Sequence, residues 1–423
     1  MNARAPKGTA DMLPDVARAW EHMQRTAQRL FARYGYEPVY TPVFEHTEVF
    51  TRGIGEATDI VSKEMYTFED KGGRSITLRP EGTASVVRAT LEHNLVANGQ
   101  SAKLYYAGPM FRYERPQKGR MRQFWQIGAE ALGMAEPGID AEVIVMLMRY
   151  FEELGIPRQS MRLLINTMGD EACRPVYRDK IAGFIREHAS SLCEECNRRA
   201  ETNPLRAFDC KNPGCKDVMS DAPLLRDELC DDCAAHYAAV KESLDDLAIS
   251  YIEDPSLVRG LDYYTRTVFE VQVDAGLGSQ NAIGGGGRYD RLMEEYGGPA
   301  TPGLGFALGF ERTLLALEAA GVTILGHPMA EVYVARVDES LGGAVFTLVQ
   351  ELRDAGIATD TDYQGRSLKS QFKQADRLGA RVVVIVGPDE LAVGEVTMRD
   401  MATKDETRIP LGEIAARLKQ LLG

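Results

Sequence analysis

The chain has 423 residues, enough for two or three domains. It holds 44% hydrophobic and 26% charged residues, has no apolar run near the roughly 18 of a membrane span, and starts with MNARAPKGTADMLPD, which offers no apolar signal-peptide stretch, so a cytoplasmic protein without membrane contact is expected. A net charge of −13 argues against wholesale coating of nucleic acid, and seven cysteines, an odd number, argue against a disulfide framework.

Residues 14–34 predict a helix, because Val16, Trp20, Met23, Ala27 and Leu30/Phe31 recur at three- and four-residue spacing between Pro14 and Gly35. EPVYTPVFEHTEVF reads as extended; Pro42 removes a ladder donor and places it at a sheet edge or a subunit junction. SITLRPEGT is a strand leading into a helix over 83–95. Thr83 at that junction is either a plain N-cap or a ligand group.

The stretch 103–133, KLYYAGPMFRYERPQKGRMRQFWQIGAEALG, reads as a hairpin with arms near 104–114 and 122–132. Period two places Arg122, Phe124, Gln126 and Glu130 on one face of the second arm, and Arg112 ends the first. Such a face suits a ligand carrying phosphate, a flat ring and an ammonium; alternatively it is a charged, solvated strand face. The stretch 112–122 is net +4 and contains a tip too polar to pack.

A helix over 138–154 and a strand MRLLINTMGD follow. From 171 to 255 the chain turns helical, charged and cysteine-rich, which reads as an inserted module. Cys193-x-x-Cys196 and Cys230-x-x-Cys233 have zinc-knuckle chemistry, with Cys210 and Cys215 between them. Four thiolates from the two knuckles would close a structural Zn²⁺ site; reduced cysteines in a helical insert are the equal alternative, and Cys173 reads as a packed thiol.

LVRGLDYYTRTVFEVQV combines Arg259, Tyr263 and Tyr264 before an alternating strand. In NAIGGGGRYDRL, Gly284 to Gly287 would let a backbone approach a ligand. In GLGFALGFERTLLALEAAG, Arg312 lies in the first turns of a helix, where an arginine opposes the dipole and makes better sense if an anion sits there; a surface arginine is the equal alternative. After a linker at 322–330, residues 331–423 alternate strands and helices as a compact α/β unit of net charge −3.

These residues together closely resemble the histidyl-tRNA synthetases, a family of class II aminoacyl-tRNA synthetases, over nearly the full length. The segment 31–50 with Pro42 is similar to the class II first motif, FRYERPQKGRMRQFWQIGAE to the second and GLGFALGFERTLLAL to the third. RGLDYYT and AIGGGGRYDRL resemble the two histidine-specific signatures, which are far more specific than the class II motifs. The resemblance implies an α+β fold. A class II catalytic domain on an antiparallel sheet with flanking helices spans 1–170 and 256–325, a mostly helical cysteine-rich insertion spans 171–255, and an α/β anticodon-binding domain spans 331–423.

It also implies an enzyme that activates L-histidine with ATP and Mg²⁺ and passes the histidyl group to the 3′ end of tRNA(His), as a homodimer. Residue by residue, Arg112, Arg259 and Arg312 are the implied catalytic arginines. Arg112, Arg122, Phe124, Arg259 and Arg312 are implied for ATP. Glu81, Thr83, Arg112, Gln126, Glu130, Arg259, Tyr263 and Tyr264 are implied for histidine, and Arg115 and Gln117 for the acceptor end of tRNA. One alternative is the synthetase-like, histidine-binding regulatory subunit of ATP phosphoribosyltransferase; such proteins usually lack the C-terminal domain and carry degraded signatures, and this chain has both intact. The complete arginine set argues against a second alternative, a tRNA-binding protein without catalysis.

Overall fold

A computed structural model describes residues 3–55, 58–208, 210–258, 263–274, 281–322, 324 and 330–423. The chain forms two units, Met1–Ile324 and Leu325–Gly423. In chain order the described strands of the first unit are β1 (Glu37–Pro38), β2 (Phe44–His46), β3 (Tyr66–Glu69), β4 (Ser75–Leu78), β5 (Ala102–Phe111), β6 (Gln123–Leu132), β7 (Met161–Thr167), β8 (Ile252–Glu253), β9 (Thr265–Val273), β10 (Ala282–Arg288) and β11 (Gly303–Gly309).

Eight of these make one sheet in the order β1-β5-β6-β11-β10-β9-β7-β8. Every pairing from β5 through β7 is antiparallel, and only the two-residue strands β1 and β8 join parallel at the edges. The smaller sheet runs β2-β4-β3. Pro42 lies outside any strand, between β1 and β2; the proline that occupies the sheet edge is Pro38. The predicted extended run also ends early, since Thr47–Ile54 is helical and buries Phe50 and Ile54. Its Thr, Val and Phe content favours strands, and tertiary packing overrides that preference.

Alternate side chains of the sheet feed two cores. Tyr105 and Phe269 join one; Leu104, Tyr106 and Val268 join the other. The helix Pro14–Arg33 buries Trp20, Met23, Leu30 and Phe31 in the first core, beside the helix Pro137–Glu153. Each such side chain contributes about 1.5–3 kcal/mol through burial. Trp20 meets Trp125 at a centroid distance of 5.0 Å and Phe310 at 5.3 Å, fixing one face of β6 and the start of the helix Phe310–Ala319.

The described residues of the cysteine-rich segment form no separate core. Tyr237, Val240 and Leu244 of the helix Asp231–Asp246 enter the first core, while Tyr177, Ile181 and Ile185 of the helix Arg174–Glu187 enter the second. Its cysteines correct the expected pairing. Cys193, Cys196, Cys210 and Cys215 converge in one place, and Asp170, Cys173, Cys230 and Cys233 in another. The two knuckles do not face a common centre, and Cys173 is part of a cluster rather than a lone packed thiol.

The second unit carries β12 (Val332–Arg336), β13 (Thr359–Thr361), β14 (Val382–Val386), β15 (Glu395–Asp400) and β16 (Glu406–Pro410) in the order β13-β12-β14-β15-β16. The first three are mutually parallel and the last two antiparallel. In β16 only Ile409 of the five residues is buried, so the strand shows no apolar–polar alternation in the sequence. No described helix is long and apolar enough to cross a membrane.

Candidate active site

A cavity of about 220 Å³ opens over the antiparallel strands of the large sheet. Residues of β6, β10 and β11 line it, together with residues of the connection between β5 and β6. Period two turns Trp125 toward the helix Pro14–Arg33 and leaves Phe124 and Gln126 on the cavity side. Tyr106, opposite Gly128, occupies the space a side chain at Gly128 or Gly82 would fill, so both positions require glycine.

At the closed end sits Glu130, fully buried. The Thr83 hydroxyl donates to its Oε1 at 2.7 Å, and the Tyr289 hydroxyl donates to its Oε2. Burial pushes the Glu130 carboxyl up to about 8, against the opposing pull of the Tyr289 and Thr83 hydrogen bonds. A Cβ at Gly305 would overlap this carboxylate. Tyr263 and Tyr264 line the same end, with the Tyr263 ring edge-on to Tyr289 at 5.7 Å. The Tyr264 carbonyl is held by Arg174 Nη1 at 2.9 Å.

Glu81 settles the strand-to-helix junction. The N-cap residue of the helix Thr83–Glu92 is Gly82, not Thr83, and the Glu81 carboxylate takes the first two backbone N–H groups, of Thr83 and Ala84, each at 2.8 Å. Thr83 opens the helix, and its hydroxyl points to Glu130. Burial raises the Glu81 carboxyl, while the Ala84 and Thr83 N–H groups lower it. Gln126 Oε1 is buried with no hydrogen-bond partner among the described residues, an acceptor prepared for a donor from a ligand.

Three arginines, Arg112, Arg120 and Arg312, line the rest. Arg112 Nε donates to the Pro80 carbonyl at 2.9 Å, and its guanidinium lies 5.4 Å from the Phe124 ring centre. Arg312, third residue of its helix, reaches the carbonyls of Gly119 and Ala282 at 3.4 and 3.3 Å. Burial and the positive charges of Arg120 and Arg112 lower its affinity for its proton; an anion in the cavity would reverse that bias. Glu311 lines the cavity too and accepts from the Trp125 N–H at 3.1 Å; burial pushes it up to about 7.

Of the expected site residues, Glu81, Thr83, Arg112, Phe124, Gln126, Tyr263, Tyr264 and Arg312 line the cavity, and Glu130 lies directly behind Thr83. Arg259 lies outside the described residues. Arg122 does not reach the cavity: it precedes β6, its N–H is tied to the Gly8 carbonyl at 2.7 Å, and its guanidinium stacks 3.9 Å over Tyr113. Arg115 and Gln117 are exposed on the tip, which closes through mutual backbone bonds between Gln117 and Arg120.

The glycine run serves two ends. Gly284 and Gly285 line the cavity, whereas Gly286 is pressed against the backbone of Gly305 on β11 and Gly287 against Thr267 on β9. Arg288 beside them is structural: fully buried, it pairs with Asp140, which also meets His236 Nε2 at 2.6 Å and accepts from the Thr267 hydroxyl at 2.7 Å. Sequence reasoning missed Tyr289, Tyr106, Glu311 and Arg120. Only Tyr289 stands within a histidine-specific signature, and its contact with Glu130 depends on the packing of strands distant in sequence.

The Histidyl-tRNA synthetase family model matches residues 8–313, and the Anticodon binding domain model matches residues 331–421. A histidine–tRNA ligase of Halothermothrix orenii is 48% identical over 422 residues, covering 100% of both chains. One of Desulforamulus reducens is 50% identical over 414 residues, covering 98% of each. The apo histidyl-tRNA synthetase of S. aureus superposes with a TM-score of 0.83 at 38% identity, over 99% of this chain and 100% of that one.

Proposed function

This chain belongs to the histidyl-tRNA synthetase family, and from that membership we propose how its cavity activates L-histidine with ATP and how the chain delivers the histidyl group to tRNA(His). The observation that carries the reading is the buried Thr83–Glu130–Tyr289 cluster at the closed end of a cavity that also carries Arg112 and Arg312. A polar pocket for a small side chain thus adjoins a binding site for anions.

The chemistry is attack of the histidine carboxylate on the α-phosphorus of ATP, with pyrophosphate leaving. It needs two anions held together and the charge on the phosphates countered, and little acid–base help. Arg112, oriented by the Pro80 carbonyl, holds the α-phosphate against the substrate carboxylate. Arg312 takes the γ-phosphate, and Phe124 stacks on the adenine. Arg259 approaches the α-phosphate as a third cation. Glu81, Thr83 and Gln126 receive the α-ammonium, with Gln126 Oε1 supplying its unused acceptor.

Glu130 and Tyr264 address the two imidazole nitrogens, with Tyr263 adjacent. A competing side chain would leave those groups buried and unpaired, which is a strong basis for discrimination. The Glu270 carboxylate, which lines the same cavity, fits as an oxygen donor to Mg²⁺, and that ion would supply countercharge to the leaving pyrophosphate.

The transfer step needs the 3′ adenosine beside the adenylate. The exposed tip with Arg115 and Gln117 receives the acceptor end, and the Leu325–Gly423 unit binds the anticodon. A homodimer is supported by the exposed apolar side chains Tyr40, Val43 and Phe44 in the segment that resembles the first motif. The cytoplasm is the compartment in which these substrates meet. The regulatory-subunit alternative is not adopted, because ligases match this chain end to end.

Histidine-dependent ATP–pyrophosphate exchange, followed by charging of bulk tRNA with labelled histidine, tests the reading. Exchange with histidine alone among the amino acids is expected, with charging to match. A protein that binds histidine yet exchanges no pyrophosphate refutes it.

A further inference from the structure

All seven cysteines of the chain fall into the two clusters described above, four in one and three with Asp170 in the other. None is left elsewhere to pack as an ordinary small hydrophobe, and all are free thiols. We propose that the helical segment is a two-metal module, in which Cys193, Cys196, Cys210 and Cys215 hold one thiophilic divalent cation of the Zn²⁺ type and Asp170, Cys173, Cys230 and Cys233 hold a second.

Geometry favours single ions. Zn–S bonds of about 2.3 Å in a tetrahedron put neighbouring sulfurs about 3.8 Å apart. Cys193 Sγ and Cys210 Sγ are separated by 3.9 Å. A mixed edge between a thiolate and a carboxylate oxygen is about 3.5 Å. Asp170 Oδ1 lies 3.6 Å from Cys173 Sγ and 3.7 Å from Cys230 Sγ. Within each cluster every donor atom lies within 4.8 Å of the others, too close for cysteines spread around a polynuclear iron–sulfur core.

The two knuckles share one construction. Cys193 is the N-cap residue of the helix Glu194–Thr202, and Cys230 that of the helix Asp231–Asp246; the second cysteine follows in the first turn of each. A helix start favours thiolate over thiol. Backbone N–H groups already point at sulfur: Cys193 N–H donates to Cys215 Sγ at 3.2 Å, and Asp170 N–H to Cys173 Sγ at 3.4 Å. Such bonds favour sulfur that carries negative charge, as a metal-bound thiolate does.

The sites also lie where the fold lacks other ties. The first joins short helices that own no separate core. The second fastens the turn after β7 to the start of the helix Asp231–Asp246, and Arg174, next to Cys173, holds the Tyr264 carbonyl. Coordination displaces thiol protons and involves no redox change.

The test is elemental analysis of the full-length protein, prepared in zinc-supplemented medium without a metal-affinity tag. About two zinc ions per chain are expected, and about one in each of Cys196→Ser and Cys233→Ser. If either variant fails to fold, the wild-type protein still decides the matter. Native alkylation read by intact mass should leave the cysteines protected, and chelator should expose all seven without reductant. Cobalt loading should give thiolate charge-transfer and tetrahedral bands. Equal alkylation with and without chelator, or exposure only after reduction, overturns the proposal. A single ion lost in both variants also overturns it, since the knuckles would then share one centre.

Discussion

The closed end of the cavity and the cysteine clusters both bury polar atoms, and they satisfy them in opposite ways. At the cavity end the protein supplies the partners. Glu81 is bonded by two backbone N–H groups, and Glu130 by the Thr83 and Tyr289 hydroxyls. Gln126 Oε1 alone of the expected histidine-binding groups is buried with no partner among the described residues, and the carboxylates keep further lone pairs for a ligand. In the clusters the sulfurs converge chiefly on one another. The first arrangement is preorganised and needs its ligand for chemistry alone. The second needs an ion to be stable, because converging thiols have little else to bond to.

The largest effect should come from removing a cavity cation whose position is already fixed. Arg112→Ala is expected to slow histidine-dependent pyrophosphate exchange on the order of 10²–10³-fold, the range for losing one preorganised charge donor. The fold should be unchanged in circular dichroism, since the Arg112 side chain bonds a single carbonyl among the described residues. Exchange within threefold of the parent would remove Arg112 from the mechanism. Next, Glu130→Ala should lower kcat/KM for histidine by about 10²-fold while ATP affinity stays near its original value, because a buried recognition group is lost. Equal losses for both substrates would show that the cluster holds up the sheet and does not read the side chain.

Stripping metal attacks the other side of the comparison. Chelation should lower the melting temperature by about 5 °C, as expected when a few kcal/mol of native-state binding is lost from a chain of this size. Readdition of zinc should restore it. An unchanged melting curve would mean that the clusters are held by packing alone.

Much of the cavity is legible in the amino-acid order because it is written in period two. Phe124 and Gln126 announce their face, and Trp125 between them announces the opposite one. Arg122 has the right parity but lies before the strand begins, where the chain bonds to Gly8. Thr83 is ambiguous because local sequence cannot tell an N-cap from the first helical residue. Tyr289 is invisible for a different reason: its partner lies 159 residues away, on β6, with β11 between that strand and the end of β10. The cysteines show the limit most clearly. Spacing identifies knuckles, but which pair completes which knuckle depends on where four helices pack, and that is decided by the cores of the sheet.

The smallest predicted effect separates the two regions by pH. Burial holds the Glu130 carboxyl up to about 8, well above its value in an unfolded chain. Between about pH 4.5 and 8 the folded state keeps a proton that the unfolded state has shed. This group's contribution to stability is therefore complete below that window and is lost as pH rises through 8. Glu311, held up to about 7 by burial, acts with the same sign. Glu130→Gln should make the melting temperature less sensitive to rising pH by a few degrees, with the two proteins diverging across the window; parallel curves would show that Glu130 is ionised throughout. The clusters should respond in the reverse sense. Protons compete with the metal for thiolates, so zinc should be held more tightly as pH rises and released more readily as it falls. Alkaline conditions thus load the carboxylate behind the cavity with an unwelcome charge while they secure the metal sites, and acid conditions do the opposite.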